Sequence, residues 1–278
     1  MDEIGLGHLA ISAVLSGAIV VVAALARSLS LSGAVAAWAV GFLVYGFGGV
    51  ALAFPLVAFF ATSSLLSRLP RRGGPAVSQT RGSRRDAVQV LANGGVPAAL
   101  ALACALHPQS RLLAMLCLAA LAAANADTWA TEIGSRLSRR PRLVSTWRPV
   151  EPGMSGAVSW TGFVASLLGA AVVVAAGVAA WPPGTAVLFG RPDMAESLAL
   201  VWAGLMGSYL DSLLGASVQG IWRCSRCERV TERARHCDAA ATRLRGLAWV
   251  DNDVVNLLSI GGAALIAWAL LQGFAYPR

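Results

Sequence analysis

The chain contains no lysine; all 22 basic residues are arginine. That absence excludes a Walker-type phosphate loop and any chemistry through a lysine Schiff base. Charge is scarce altogether. Only 13% of the 278 residues are charged, where a soluble domain carries roughly a quarter. Histidine is almost missing, and His8 and His107 fall near the outer ends of apolar runs and carry no site signal. No solenoid-type repeat is discernible, nor an inverted repeat of the transporter kind. No stretch is long and polar enough to form a soluble domain of its own.

What is present is apolar. Hydrophobic residues make up 56% of the chain, which implies one integral membrane domain over residues 1–278, an all-α polytopic helix bundle. A helix needs about 20 apolar residues to cross a bilayer. Eight candidate spans follow: 8–26, 32–47, 50–67, 87–106, 112–131, 157–181, 197–221 and 252–273. No charge occurs in the 40 residues between Arg27 and Arg68. As straight helix they would extend about 60 Å, twice a hydrocarbon core. A hairpin turning near Gly46, Gly48 and Gly49 is therefore expected, with a re-entrant segment as the alternative.

Arginine sets the orientation. With eight spans, the loops at 27, 68–86, 136–151 and 223–250 share one side and hold nineteen of the 22 arginines; Arg111, Arg191 and Arg278 fall on the other. The positive-inside rule makes the basic side cytoplasmic and puts both termini outside, in a membrane expected to be a prokaryotic plasma membrane. Asp2 and Glu3 stand where a signal peptide would be positive, so the first span reads as uncleaved. Segment 68–86, rich in Arg, Gly, Pro and Ser, reads as partly mobile. The basic excess is topological and implies no nucleic acid; its remainder is available to anionic membrane lipids or phosphates.

Against this background carboxylates stand out, because inside a span they are costly and usually face a polar cavity, a metal or a substrate. Asn125-Ala-Asp-Thr-Trp-Ala-Thr-Glu132 ends a run without charge since Arg111. Asp127 and Thr131 share a helix face there, while Glu132 is turned about 140° from Asp127. Asp86 opens another run, followed by Gln89 and Asn93 on one face, with Gly94, Gly95 and Pro97 favouring a bend. Ser208, Asp211, Ser212, Gly215 and Gln219 form a polar stripe that also fits helix packing. Asp251-Asn252-Asp253, with Asn256, opens the last span, where one acid would suffice as a cap. These groups all fall in the cytoplasmic half. An ion path would need them along its whole length; a one-sided cluster fits an enzyme at the inner leaflet. Oxygen ligands suit Mg²⁺, and the arginines beside them offer phosphate-binding forks. Gly153, Ser155 and Gly156, ahead of a helix start, would offer backbone N–H groups to a phosphate, or form a simple turn and cap.

Cys224, Cys227, His236 and Cys237 lie within 14 residues of each other in the loop 222–250. Their ligand types suggest a structural Zn²⁺ site; a reduced loop without metal is the alternative. Cys104 and Cys117 lie in apolar spans as packing residues.

Five stretches together resemble one integral membrane family: Arg-Arg-Asp-Ala-Val-Gln-Val-Leu-Ala-Asn-Gly-Gly (84–95), Ala-Asp-Thr-Trp-Ala-Thr-Glu-Ile-Gly (126–134), Gly-Met-Ser-Gly-Ala-Val-Ser (153–159), Asp-Ser-Leu-Leu-Gly-Ala (211–216) and Asp-Asn-Asp-Val-Val-Asn (251–256). That family includes the phytyl phosphate kinase of vitamin E synthesis and an animal transmembrane protein of unclear role. The resemblance implies transfer of a phosphoryl group from a nucleoside triphosphate, CTP favoured, to a prenyl monophosphate. It carries Asp86, Asn93, Asp127, Glu132, Asp211, Asp251 and Asp253 over as metal or nucleotide candidates, and Arg84 and Arg85 as phosphate candidates. Asp127, Glu132 and Asp211 are the expected catalytic residues. Asp86, Asp127, Asp211, Asp251 and Asp253 are the expected Mg²⁺ ligands. Asn93, Gly153, Ser155, Gly156, Ser212, Asn252 and Asn256 are expected at the nucleotide. Met154 departs from the family, in which a hydroxyl residue is expected. A CDP-lipid-forming cytidylyltransferase, a lipid or ion transporter and a purely structural membrane protein are the alternatives.

Overall fold

The computed structural model describes residues 5–69, 84–108, 110–138, 140–181 and 190–275. Asp2, Glu3, Arg278 and most of segment 68–86 lie outside them, and with them the expectations placed there. Among the described residues, seven helices are long and apolar enough to cross a membrane: α1 (Leu6–Leu25), α2 (Leu31–Arg68), α3 (Ala87–Leu106), α4 (Arg111–Leu137), α5 (Trp160–Ala180), α6 (Met194–Ser217) and α7 (Asn252–Ala275).

The second helix is two legs. Gly49 has φ 64° and ψ −164°, a conformation that is essentially restricted to glycine. If the 38 residues ran straight, their ends would stand about 57 Å apart. Instead the Arg68 guanidinium donates to Ala26 O at 2.9 Å and lies 3.0 Å from Ser28 Oγ, just ahead of the helix start. The chain therefore doubles back at Gly49, as the hairpin expectation required, and follows an eight-legged path.

Local chemistry sets the helix starts. Ser30, Asp86, Ser110, Ser159 and Asp193 each accept an N–H from three residues on, and Asp86 and Asp193 complete capping boxes with Gln89 and Glu196. Three expected boundaries move. The span expected at 157–181 starts only at Trp160, because Ala157–Val158 form a strand (β2) against Arg142–Leu143 (β1). The span expected at 197–221 is α6, shifted to start at Met194 and to end at Ser217, since Ile221 already belongs to a sheet. The span expected to end at 131 continues as α4 to Leu137. The Cys-rich segment folds as a four-stranded antiparallel sheet in the order β4-β3-β6-β5, from β3 (Ile221–Cys224), β4 (Val230–Thr231), β5 (Arg235–His236) and β6 (Ala239–Arg245).

The core is built around α4, buried from Met115 to Ala126. Its alanines let neighbouring helices approach closely: a Cβ on Gly204 or Gly207 of α6 would meet Ala122 and Ala123 at 2.9 and 2.7 Å. Without water to drive helix association, such small-residue packing is what holds a membrane bundle together. The connections after α1, the second leg of α2, α4 and α6 gather at one end. Arg85 N donates to Ser28 O, Arg136 donates to Leu66 O, and Arg245 donates to Ser155 O. At the other end lie the Gly49 turn and the loops after α3 and α5, where Arg111 donates to Gly190 O and Arg191 O.

Candidate functional site

The motif Asn125–Glu132 divides by helix geometry. Asn125 and Trp129, one turn apart, face the core. Asn125 Nδ2 donates to Gly169 O at 2.7 Å, its Oδ1 lies 3.1 and 3.3 Å from the Thr62 and Ser63 hydroxyls, and Trp129 Nε1 donates to Thr62 Oγ1 at 3.2 Å. These bonds tie α2, α4 and α5 together. Asp127 and Thr131, on the other side, line a cavity of about 1500 Å³ at the arginine-rich end.

Into this cavity come side chains from separate elements: Asn93 of α3, Asp127 of α4, Asp211 and Ser212 of α6, and Asn252, Asp253 and Asn256 of α7. Gly153, Ser155 and Gly156 form part of its rim. Gly153 and Gly156 have φ of 86° and 81°, and a Cβ on Gly156 would stand 2.5 Å from Ala216 N. The loop can close on the end of α6 only because that position is glycine. Asp211 Oδ2 lies 3.3 Å from the Ser259 hydroxyl of α7. Asp127, Asp211 and Glu232 all border the cavity. Carboxylates so placed repel one another until a proton or a cation intervenes.

Not every expected residue arrives there. Asp86 is exposed and spends its carboxylate on the α3 cap, accepting Gln89 N at 3.0 Å. Asp251 is likewise exposed and accepts Asp253 N and Val254 N. Neither lines the cavity, nor does Arg84. For Asp251 this is the capping role that the sequence offered as the plainer alternative; for Asp86 the cap was not anticipated. Glu132 is on the cavity wall, but it is ion-paired to Arg136 at 2.6 Å and accepts Ser67 Oγ at 2.9 Å. Arg136 also donates to Leu66 O and Leu69 O, so this pair clamps α4 to the second leg of α2.

Arg85 occupies a special place. Its backbone is bridged to Ser28 and Ser30, and its guanidinium sits over the Phe60 ring at 5.7 Å. Burial lowers its pKa, and the charge of Glu132 acts in the opposite direction. Arg85, Gln89, Asn93 and Thr128 also line a second, apolar cavity of about 370 Å³ between α1, α2 and α3. Val20, Val40, Val57 and Phe59 are among its other walls. The polar and apolar cavities thus share one wall.

Sequence reasoning missed Glu232. It lies between β4 and β5, reaches the polar cavity, and accepts the Ser155 hydroxyl. Nothing local marks it, because an acid among seven arginines reads as a solvated loop charge. The neighbouring Cys/His cluster is brought together despite its irregular spacing: the ligand atoms of Cys224, Cys227, His236 and Cys237 all lie within 4.8 Å of one another. Backbone N–H groups of Cys227 and Arg226 pull the Cys224 thiol down to a pKa of about 6, while its neighbours push Cys237 up. Among the described residues no other His/Cys/Asp/Glu group reaches such spacing. The cavity aspartates suit instead an ion that binds through one or two carboxylates plus ligand phosphates, as Mg²⁺ commonly does.

The chain is 32% identical to Protein PGR of Arabidopsis thaliana over 84% of its own length and 86% of that protein. It is 30% identical to an uncharacterized membrane protein of Methanocaldococcus jannaschii, covering 68% of this chain and 74% of that one. Identity to Protein VTE6, chloroplastic, of Arabidopsis thaliana is 24% over 90% of this chain and 67% of the relative. No solved structure matches. The family model described as integral membrane protein DUF92 matches residues 14–264, and with that extent of match the chain belongs to this integral membrane family.

Proposed function

We propose that the protein is a prenyl phosphate kinase of the phytyl phosphate type, working at the membrane interface. One observation carries this reading: an acid- and amide-lined cavity shares the Arg85–Gln89–Asn93–Thr128 wall with an apolar cavity between helices. A phosphate joined to a hydrocarbon chain matches that pair of environments. The kinship with Protein VTE6, chloroplastic, and the resemblance to a family that includes a phytyl phosphate kinase point the same way.

In this reading one or two of Asp127, Asp211 and Asp253 would hold Mg²⁺, which would supply neutralisation of the triphosphate charge. Asn93, Ser212, Asn252, Asn256 and the backbone of Gly153–Gly156 position a nucleoside triphosphate, with CTP favoured. Arg85 holds the lipid phosphate at the shared wall. An oxygen of that phosphate attacks the γ-phosphorus; the bond to the β-phosphate oxygen breaks, and the nucleoside diphosphate leaves. The acceptor is already ionised, so no strong base is required, which leaves Glu132 to its ion pair. The arginine-rich end then faces the cytoplasm of a prokaryote, with the termini outside.

The test is purified protein given labelled CTP or ATP, Mg²⁺ and prenyl phosphates of several lengths. The expected product is the prenyl diphosphate. Pyrophosphate release would make it a cytidylyltransferase instead. Lipid or ion flux in liposomes without turnover would replace the kinase reading with a transporter.

A further inference from the structure

We infer that Cys224, Cys227, His236 and Cys237 hold a structural Zn²⁺, and that this ion fixes the rim of the polar cavity through Glu232 and Arg245. The distances among Cys227, His236 and Cys237 match the ion, and Cys224 Sγ lies within 4.8 Å of all three. Cys227 Sγ stands 3.5 Å from His236 Nδ1, Cys237 Sγ stands 3.2 Å from the same nitrogen, and the two sulfurs are 3.8 Å apart. With Zn–S near 2.3 Å and Zn–N near 2.0–2.1 Å, a tetrahedron has S···S edges of about 3.8 Å and N···S edges of about 3.5 Å. The Arg226 N–H points at Cys224 Sγ from 3.4 Å, which stabilises a thiolate ligand. The ligands come from two turns, one after β3 and one between β5 and β6. Residues Glu228 and Cys237 adopt positive φ to bring the turns face to face. The strands are two to seven residues long, too little to bury a core of their own, so a metal is the natural staple.

The sheet then acts on the site. Glu232 follows β4 and accepts the Ser155 hydroxyl, while Arg245 ends β6 and donates to Ser155 O at 3.1 Å and to Ala216 O. Ser155 is therefore held from both its side chain and its carbonyl by the two strands that flank β3, at the end of the sheet away from the metal ligands. The loop 151–159 keeps its place at the cavity rim only while the sheet is folded. This link does not depend on which reaction the cavity performs.

The test uses the full-length protein in detergent. Metal analysis should find about one zinc per chain, lost in the Cys224→Ser, Cys227→Ser variant and on stripping the wild type with a chelator. Hydrogen exchange in 151–159 and 221–245 should then rise at least about tenfold, with the transmembrane helices unchanged. Glu232→Gln combined with Arg245→Gln should keep the zinc and loosen 151–159 alone. A metal-free wild type whose four groups are freely alkylated would overturn the site. Unchanged exchange in 151–159 after zinc loss would overturn the link.

Discussion

The two ends of the bundle treat charge differently. At the Gly49 end, Arg111 and Glu196 form a bidentate pair with both contacts at 2.5 Å, and Asp193 caps α6. Arg111, Glu196 and Asp193 all have intramolecular partners there. At the arginine-rich end, Asp127, Asp211 and Asp253 instead line a void beside Arg85. Charges paired within the chain serve stability. Acids that border a cavity are placed where a ligand of complementary charge can reach them.

The strongest way to break this contrast is to neutralise the cavity acids. Asp127→Asn and Asp211→Asn should each lower turnover by about 10²–10³ or more, the scale of losing one electrostatic contact to a transition state. Both variants should insert and fold normally by detergent gel filtration. Near-wild-type rates in both would remove the metal assignment. Omitting Mg²⁺ should reproduce the defect in the wild type, measured as loss of nucleotide binding.

The apolar side can be sharpened separately. Ala37 lines the smaller cavity. Ala37→Phe should displace two or more methylenes of a prenyl tail, and at about 0.8 kcal/mol each that is about tenfold in kcat/KM. The loss should appear with long acceptors and fade with short ones. An equal effect on all lengths would place the tail elsewhere.

Changes at the opposite end should cost stability and spare turnover. Gly49→Ala meets no neighbouring atom, so its cost is backbone strain alone, about 1–3 kcal/mol, read as a lower Tm. Glu196→Gln should cost about 1 kcal/mol or less, discounted because the pair keeps contact with solvent. A fall in activity at unchanged Tm in either variant would erase the distinction between the two ends.

Much of this was legible in sequence because the bilayer imposes a simple rule. Apolar length and arginine position marked the legs, and glycines marked the hairpin, since Gly49 alone can take its φ and ψ. Asp127, Asp211, Asp253, Asn93 and Asn256, which line the cavity, stood out in sequence because a polar group in an apolar run has few cheap explanations. The failures have the same root. Asp86 and Asp251 stand at helix starts, where a cap and a metal ligand look alike in one dimension. Glu132 could not be separated from Asp127 without knowing that Arg136 and Ser67 surround it. Glu232 was invisible because its role comes from a contact 77 residues away along the chain.

The fold-back at Gly49 bears on how the protein enters its membrane. The turn Tyr45–Val50 carries no charged side chain, and none occurs until Arg68. Both legs of α2 can therefore slide in together as a pre-paired unit, without dragging a charge through hydrocarbon. By the positive-inside rule, the arginines at 68–85 would then set sidedness by staying on the side of synthesis. Insertion of the arginine-rich end thus depends on a glycine at the far end of the molecule.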